Sequence, residues 1–118
     1  MAGFVDVLLR GLALVLASPP AAAHSLLLDS SPAVNATVAA APAELRLRFN
    51  NRIEKRLSRV RLVNDRGDAR DLPVARDGAA DSLTAPLAAI PPGRYRVEWQ
   101  VLSTDGHVVS GRFAFTVK

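Results

Sequence analysis

The sequence contains no cysteine, and this absence excludes disulfide bonds, thiolate metal sites and cysteine nucleophiles. Aromatic residues are also scarce: they make up 5% of the 118 residues, whereas hydrophobic residues as a whole make up 49%. A core built mainly from Val, Leu and Ala is therefore expected, with Trp99 and Tyr95 among its few large side chains. A chain of this length can bury one core, so we predict a single domain.

The apolar run near the N-terminus, "GLALVLA", is too short to span a bilayer, which takes about 20 apolar residues. Two prolines and the triplet "AAA" follow it, which puts Ala21 and Ala23 at the small-residue positions of a cleavage site. We therefore predict a secretory signal peptide at residues 1–23, cleaved before His24, and a mature domain at residues 24–118. An uncleaved anchor or a tail without fixed structure is the alternative, since Asp6 departs from the positive start of a usual signal.

Three segments alternate strictly between apolar and polar residues, the pattern of half-buried β-strands: "AELRLRFN", "GRYRVEWQVLS" and "GRFAFTV". Weaker strand candidates are "SLLLDS", "SRVRLVN", residues 72–74 and "DSLTAPL", and residues 52–57 offer a possible helical turn. Turn residues separate these segments. The pattern predicts an all-β fold, an antiparallel β-sandwich or Greek-key barrel.

The net charge of +4 raises nucleic acid or an anionic membrane as a partner. The strand arginines, however, occupy outward positions, and every aromatic residue of the strands has inward parity. Those arginines are Arg46, Arg48, Arg94, Arg96 and Arg112. A protein that binds single-stranded nucleic acid would interleave aromatic side chains with its basic surface. We therefore expect a solvated arginine face and no nucleic-acid partner.

Histidine occurs twice, at His24 and His107, and both positions suggest metal ligation. Asp105 stands two residues before His107, so the two side chains leave an extended backbone on the same side and can meet one ion. Cleavage before His24 would give that residue a free α-amine beside its imidazole, and the pair can chelate a metal. Nitrogen and oxygen donors without sulfur suit Cu(II). A polar loop histidine and an accidental terminal one are the alternative interpretation.

Two stretches carry a more specific pattern: "HSLLLDSSPAVNATVAAAPAELRLRF" and "GRYRVEWQVLSTDGHVVSGRFAFTV". A leading histidine, an S-x-P loop, an L-x-F strand and the closing D-x-H motif together resemble the CopC family of periplasmic copper-binding proteins. The resemblance covers essentially all of residues 24–118. It implies a cupredoxin-like or immunoglobulin-like β-barrel that binds Cu(II) through the amine and imidazole of His24, through His107 and through Asp105.

By the same resemblance we expect a monomeric, non-catalytic copper carrier or buffer of the periplasm, which hands copper to a CopD-type inner-membrane transporter and keeps no membrane anchor after cleavage. Two features depart from the family. The single methionine is Met1, so no Cu(I) methionine site is expected. Asn50 and Asn51 follow the L-x-F strand, where the family often has an acidic residue, which puts an extra oxygen ligand in doubt.

Two other functions remain open at this point. An N-terminal histidine and a second histidine around copper also form the histidine brace of oxygen-activating monooxygenases. The mature chain leaves little room for a substrate platform, and Asp105 would fill a position that O₂ chemistry needs open. The other alternative is a metal-independent β-sandwich that binds a partner protein through its arginine face.

Overall fold

The computed structural model describes residues 26–118, so the predicted signal peptide and His24 lie outside the described residues. Eight strands follow one another along the chain: β1 (Leu27–Ser31), β2 (Thr37–Val38), β3 (Glu44–Phe49), β4 (Arg59–Asn64), β5 (Ala69–Leu72), β6 (Ser82–Pro86), β7 (Gly93–Leu102) and β8 (Val108–Val117). Within these residues the only helical element is a 3-10 turn at Lys55–Leu57. None of the described helices is long and apolar enough to cross a membrane.

The strands form two sheets, one of three strands in the order β1-β3-β6 and one of five in the order β2-β8-β7-β4-β5. Most pairs are antiparallel, as predicted, but β2 pairs with β8 in parallel. This two-residue strand was not predicted, because two residues carry no readable alternation. The β7–β8 hairpin forms the longest strand pair of the larger sheet. It is paired in register from Gly93↔Val117 to Leu102↔Val108.

The predicted alternation decides which side chains enter the core. Leu45, Leu47 and Phe49 of β3 are at most 1% exposed, while the residues between them face solvent. The two sheets meet through aromatic contacts: the rings of Phe49 and Trp99 pack edge to face at 5.1 Å between centroids. Such pairs are favourable beyond the area they bury. The prediction of an all-β sandwich is thus confirmed.

The outward arginines are solvated, as the sequence predicts, and they lie on the outer faces of both sheets. Arg48 contacts the carboxylate of Asp29 at 2.6 Å, and Arg96 contacts that of Glu98 at 3.0 Å. All the arginines of this set are exposed. Exposed pairs of this kind contribute little to stability, on the order of 0–1 kcal/mol each. These arginines therefore serve mainly to keep the outer surface hydrated.

Two weaker sequence predictions need adjustment. The strand expected around residues 72–74 is β5, which ends at Leu72 because Pro73 lacks the N–H that continued pairing would use. The helical turn expected at residues 52–57 is the short 3-10 turn Lys55–Leu57, preceded by Ile53, which forms an isolated bridge with Ser103. This bridge ties the segment after β3 to the end of β7.

Candidate metal centre

The loop that joins β7 to β8 is a tight turn built from Ser103 to His107. The N–H of Gly106 donates to the C=O of Ser103 at 2.9 Å, and the N–H of Ser103 donates to the C=O of His107 at 2.9 Å. Gly106 has a φ of 92°, a conformation that glycine adopts without steric cost. The turn therefore presents Asp105 and His107 at the tip of the hairpin.

The carboxylate of Asp105 organises this turn. Its Oδ1 atom accepts a hydrogen bond from the hydroxyl of the fully buried Ser103 and a second one from the N–H of His107 at 3.2 Å. The same oxygen lies 3.1 Å from Nδ1 of the His107 ring. The fold therefore brings the side chains of Asp105 and His107 together. Their ligation of one ion stays a prediction.

The electrostatics of the turn favour the ionised carboxylate. The hydroxyl of Ser103, followed by the N–H of His107, holds the pKa of Asp105 below its usual range. The side chains of Asp105 and His107 are 45% and 48% exposed, so an ion can reach both of them from solvent. The turn thus combines a carboxylate that favours its ionised form with an accessible imidazole.

The orientation of the His107 ring refines the expected chemistry. Because Nδ1 faces Asp105, Nε2 is the ring nitrogen directed away from that carboxylate. A carboxylate on one ring nitrogen commonly fixes the tautomer and orientation of a histidine that ligates a metal through the other. Asp105 can therefore orient His107 through Oδ1, and its Oδ2 atom, which takes part in none of these contacts, can supply the oxygen ligand.

A second segment, the loop after β3, lies against this turn. The N–H of Thr104 donates to the C=O of Arg52 at 3.1 Å, beside the Ile53–Ser103 bridge. Two residues before Arg52, the side-chain oxygen of Asn50 accepts a hydrogen bond from the N–H of Leu26 at 2.7 Å. The N–H of Asn50 in turn donates to the C=O of Leu26 at 3.1 Å.

Asn50 therefore anchors the start of the described chain to the loop that borders the turn. Sequence reasoning considered Asn50 and Asn51 only as positions where an acidic ligand was missing, and it did not identify this anchor. The available signal was the pair of asparagines, Asn50 and Asn51, directly after the strict alternation of β3. It indicated a special position but not its partner, which is 24 residues away.

Asp105 and His107 do not complete a metal site by themselves. Among residues 26–118, no cluster of three or more His, Asp or Glu side chains is placed to hold an ion. A groove of about 410 Å³ on the outer face of the larger sheet is lined by Arg59, Arg61, Arg112 and others, and it contains no histidine. The Asp105–His107 turn is thus the best candidate in the described chain, and it needs further donors.

Comparison with known proteins identifies relatives over nearly the whole described region. The family described as "CopC domain" matches residues 27–118. Copper resistance protein C of Xanthomonas campestris pv. juglandis is 36% identical over 111 residues, covering 87% of this chain and 87% of its own length. Protein YobA of Escherichia coli (strain K12) is 36% identical over 106 residues, covering 87% and 86%.

Solved structures agree with the sequence matches. The crystal structure of CopC from Methylosinus trichosporium OB3b superposes with a TM-score of 0.77 at 33% identity, covering 80% of this chain and 94% of that one. PcoC from Escherichia coli, described as a methionine-rich copper resistance protein, superposes with a TM-score of 0.70 at 30% identity, covering 80% and 99%. Two of these relatives, copper resistance protein C and PcoC, are named for copper resistance.

Proposed function

The chain belongs to the CopC family of copper-binding resistance proteins, and from this premise we propose that it is a periplasmic Cu(II) carrier or buffer. Its ligands are the α-amine and imidazole of His24, the imidazole of His107 and the carboxylate of Asp105. The protein is not an enzyme, in agreement with its family. Its role is to hold the ion and release it to a partner.

One observation carries this proposal: Leu26, two residues after His24, is hydrogen-bonded to the loop that borders the Asp105–His107 turn. Leu26 is bound to Asn50 by two hydrogen bonds, and Arg52, two residues after Asn50, is bound to Thr104. His24 precedes Leu26 by two residues, and two residues span at most about 7 Å. The covalent chain therefore keeps His24 within a short reach of this anchor.

The donor set supports Cu(II) in particular. Amine and imidazole nitrogens with a carboxylate oxygen suit this ion, and the Irving–Williams order favours copper over other divalent metals at such ligands. Thioether sulfur, which selects Cu(I), is supplied by methionine. PcoC is described as methionine-rich, whereas this sequence has one methionine, Met1, which lies within the predicted signal peptide. We therefore propose no Cu(I) site.

We propose that the bound ion is delivered to a CopD-type transporter of the inner membrane. The carrier is proposed to act as a monomer. One relative supports a link to transport. Copper transport protein CutJ of Bacillus subtilis (strain 168) is 31% identical over 98 residues, which cover 80% of this chain but 18% of that protein. There, a region similar to this chain is part of a much longer protein named for copper transport.

The proposed function is tested by displacing the N-terminal amine from His24. Protein beginning with His24, as verified by intact mass, is compared with a variant that carries one additional alanine before His24. The extension moves the free amine off the histidine and breaks the chelate ring. We expect the Cu(II) affinity, measured by competition with a chelator, to fall by more than the roughly 10–100-fold typical of losing a supporting residue. Equal affinities would refute the proposed ligand set.

A further inference from the structure

Exposed apolar side chains are concentrated at the end of the sandwich that carries the Asp105–His107 turn. Five large hydrophobic side chains among residues 26–118 are exposed: Leu26, Leu28, Val34, Leu57 and Val108. Val108 directly follows His107 and is 60% exposed, and Leu57 is 65% exposed. Leu26, 54% exposed, is the residue anchored by Asn50. Scattered exposed apolar residues are ordinary, but a cluster beside a functional site indicates binding.

Backbone contacts bring these side chains together. Val108 is paired with Leu102 across the β7–β8 hairpin, so the two share one face of the sheet. That face is the outer one, because Val101 and Ser103 on either side of Leu102 are fully buried. The N–H of Leu102 donates to the hydroxyl of Ser58, and the C=O of Leu102 accepts from the N–H of Glu54.

These last two bonds hold the 3-10 turn, and with it Leu57, beside Leu102. We call Leu26, Leu57, Leu102 and Val108 the apolar rim. Leu57, Leu102 and Val108 adjoin one another through β7. Leu26 is bonded to Asn50, at the start of the same segment after β3 that carries Leu57. The rim therefore lies next to the proposed copper ligands.

The segment that carries Leu57 is rich in positive charge. Arg52, Arg56 and Arg59 lie in the segment that carries Leu57, and in the described chain none of them forms an ion pair. Elsewhere on the sheets, arginines such as Arg48 and Arg96 do contact carboxylates. Glu54 is the only acidic residue of the segment. A complementary surface would therefore carry carboxylates.

We propose that the apolar rim is the docking surface for the protein that exchanges copper with this chain, and that this partner presents an apolar side chain flanked by carboxylates. The inference rests on the proposed function, since it concerns how the bound ion reaches its acceptor. Docking at the rim would put the partner's ligands against His107. Apolar contact would supply affinity, and the arginines would supply orientation and encounter rate.

Two other occupants fit the surface less well. A second copy of this chain would bring three unpaired arginines against the same three arginines, and like charges across an interface are unfavourable. An anionic bilayer would match the arginines and the apolar side chains. A bilayer, however, offers no nitrogen ligand to receive the ion.

The docking surface is tested on metal-free protein with a synthetic peptide as the probe. The peptide is N-acetylated, so that it has no free amine, and has leucine flanked by glutamates; a second peptide has lysines in place of the glutamates. We expect the glutamate peptide alone to shift the amide resonances of Leu102 and Val108. Val108→Ser and Arg59→Glu should each weaken its binding roughly 10-fold, the scale of losing a contact at an interface centre.

Matched control variants come from the far end of the sandwich. Val34 is 53% exposed and precedes Asn35, which is hydrogen-bonded to Ala114 near the other end of β8. Arg94 lies at the start of β7 and is exposed. Val34→Ser and Arg94→Glu should leave peptide binding unchanged. Equal binding of the lysine peptide, or equal losses in the control variants, would overturn the docking surface.

Copper transfer separates this inference from the proposed function. The glutamate peptide with two added histidines serves as the acceptor, and Val108→Ser should slow transfer about 10-fold while leaving Cu(II) affinity unchanged. If the native protein binds no copper, the proposed function fails, and the metal-free titration still decides the docking surface. Transfer unaffected by Val108→Ser would refute the inference alone. Self-association through the rim, or binding of anionic vesicles abolished by Val108→Ser, would also refute it.

Discussion

Asn50 and Leu26 are joined by two hydrogen bonds, one from the main-chain N–H of Leu26 to the Asn50 side chain and one between the main chains. This pair fixes the first described residue of the chain to the loop that borders the Asp105–His107 turn. A flexible terminus would lose conformational entropy on binding a metal, whereas a terminus already fastened nearby loses less. We therefore expect the anchor to raise copper affinity without contacting the ion.

The first prediction concerns this anchor. Asn50→Ala removes the acceptor for the Leu26 N–H and should lower Cu(II) affinity about 10-fold, the lower end of the effect of losing a supporting residue. Asn50→Asp retains an acceptor oxygen and should retain most of the affinity. Asn51→Ala is the matched control, because the Asn51 side chain forms no hydrogen bond in the described chain. An Asn50→Ala protein with native affinity would show that the anchor does not serve the site.

Features that depend on residues close together in the chain could be predicted from the sequence, whereas features that depend on residues far apart could not. β3, β7 and β8 were predictable because one buried face imposes alternation on every second residue, as Leu45 and Leu47 illustrate. The proximity of the Asp105 and His107 side chains was predictable from their spacing of two residues. The anchor between Leu26 and Asn50 was not, because only the pairing of β1 with β3 brings them together.

Strand β2 was missed for a different reason. Thr37 and Val38 form only two pairs, with Thr116 and Val117, and these pairs are parallel. Their strand conformation depends on pairing with the end of β8, and their own side chains give no pattern from which it could be predicted. The resemblance to the CopC family, by contrast, needed no geometry, because it depended on many fixed positions at once.

A second prediction concerns the hydroxyl that supports the turn. Ser103→Ala removes the largest cause of the lowered pKa of Asp105, so that pKa should rise toward the ordinary value of about 3.9. Because the native pKa is lowered, ionised Asp105 contributes to folding stability above the unfolded value, and this contribution is lost as pH falls through the folded pKa. Carboxyl chemical shifts followed from pH 7 to pH 2 measure the change. An unchanged Asp105 titration would show that the hydroxyl does not control it.

A third prediction concerns the pH dependence of copper binding. Affinity should fall as pH drops from 7 to 5, because protons compete with the metal for imidazole and amine nitrogens. Asp105, with its lowered pKa, stays ionised over this range and does not cause the loss. Asp105→Asn should therefore lower affinity at pH 7 and leave the fall toward pH 5 in place. Competition titrations at pH 5, 6 and 7 check this, and a flat profile in Asp105→Asn would contradict it.

The last prediction concerns the close approach of Gly111 and Trp99 beneath the hairpin. These residues are paired across β7 and β8, and a β-carbon at position 111 would stand 2.6 Å from Cε2 of the indole and closer still to Cζ2. Gly111→Ala should therefore destabilise the fold by about 1–3 kcal/mol, the usual effect of overpacking a core, as measured by urea unfolding. Trp99 cannot easily move aside, because its ring packs against Phe49.

Replacement of the indole tests this cause directly. Trp99→Phe shortens the side chain at Gly111 and removes Nε1, a buried donor without a hydrogen-bond partner among residues 26–118. Gly111→Ala should then destabilise the Trp99→Phe protein less than the native one, with a coupling of about 0.5–3 kcal/mol in the double-mutant cycle. Gly67→Ala is the control: its φ of 86° strains any other residue, but its surroundings are open, so Trp99→Phe should not alter its effect. Additive effects of Gly111→Ala and Trp99→Phe would rule out the steric contact as the cause.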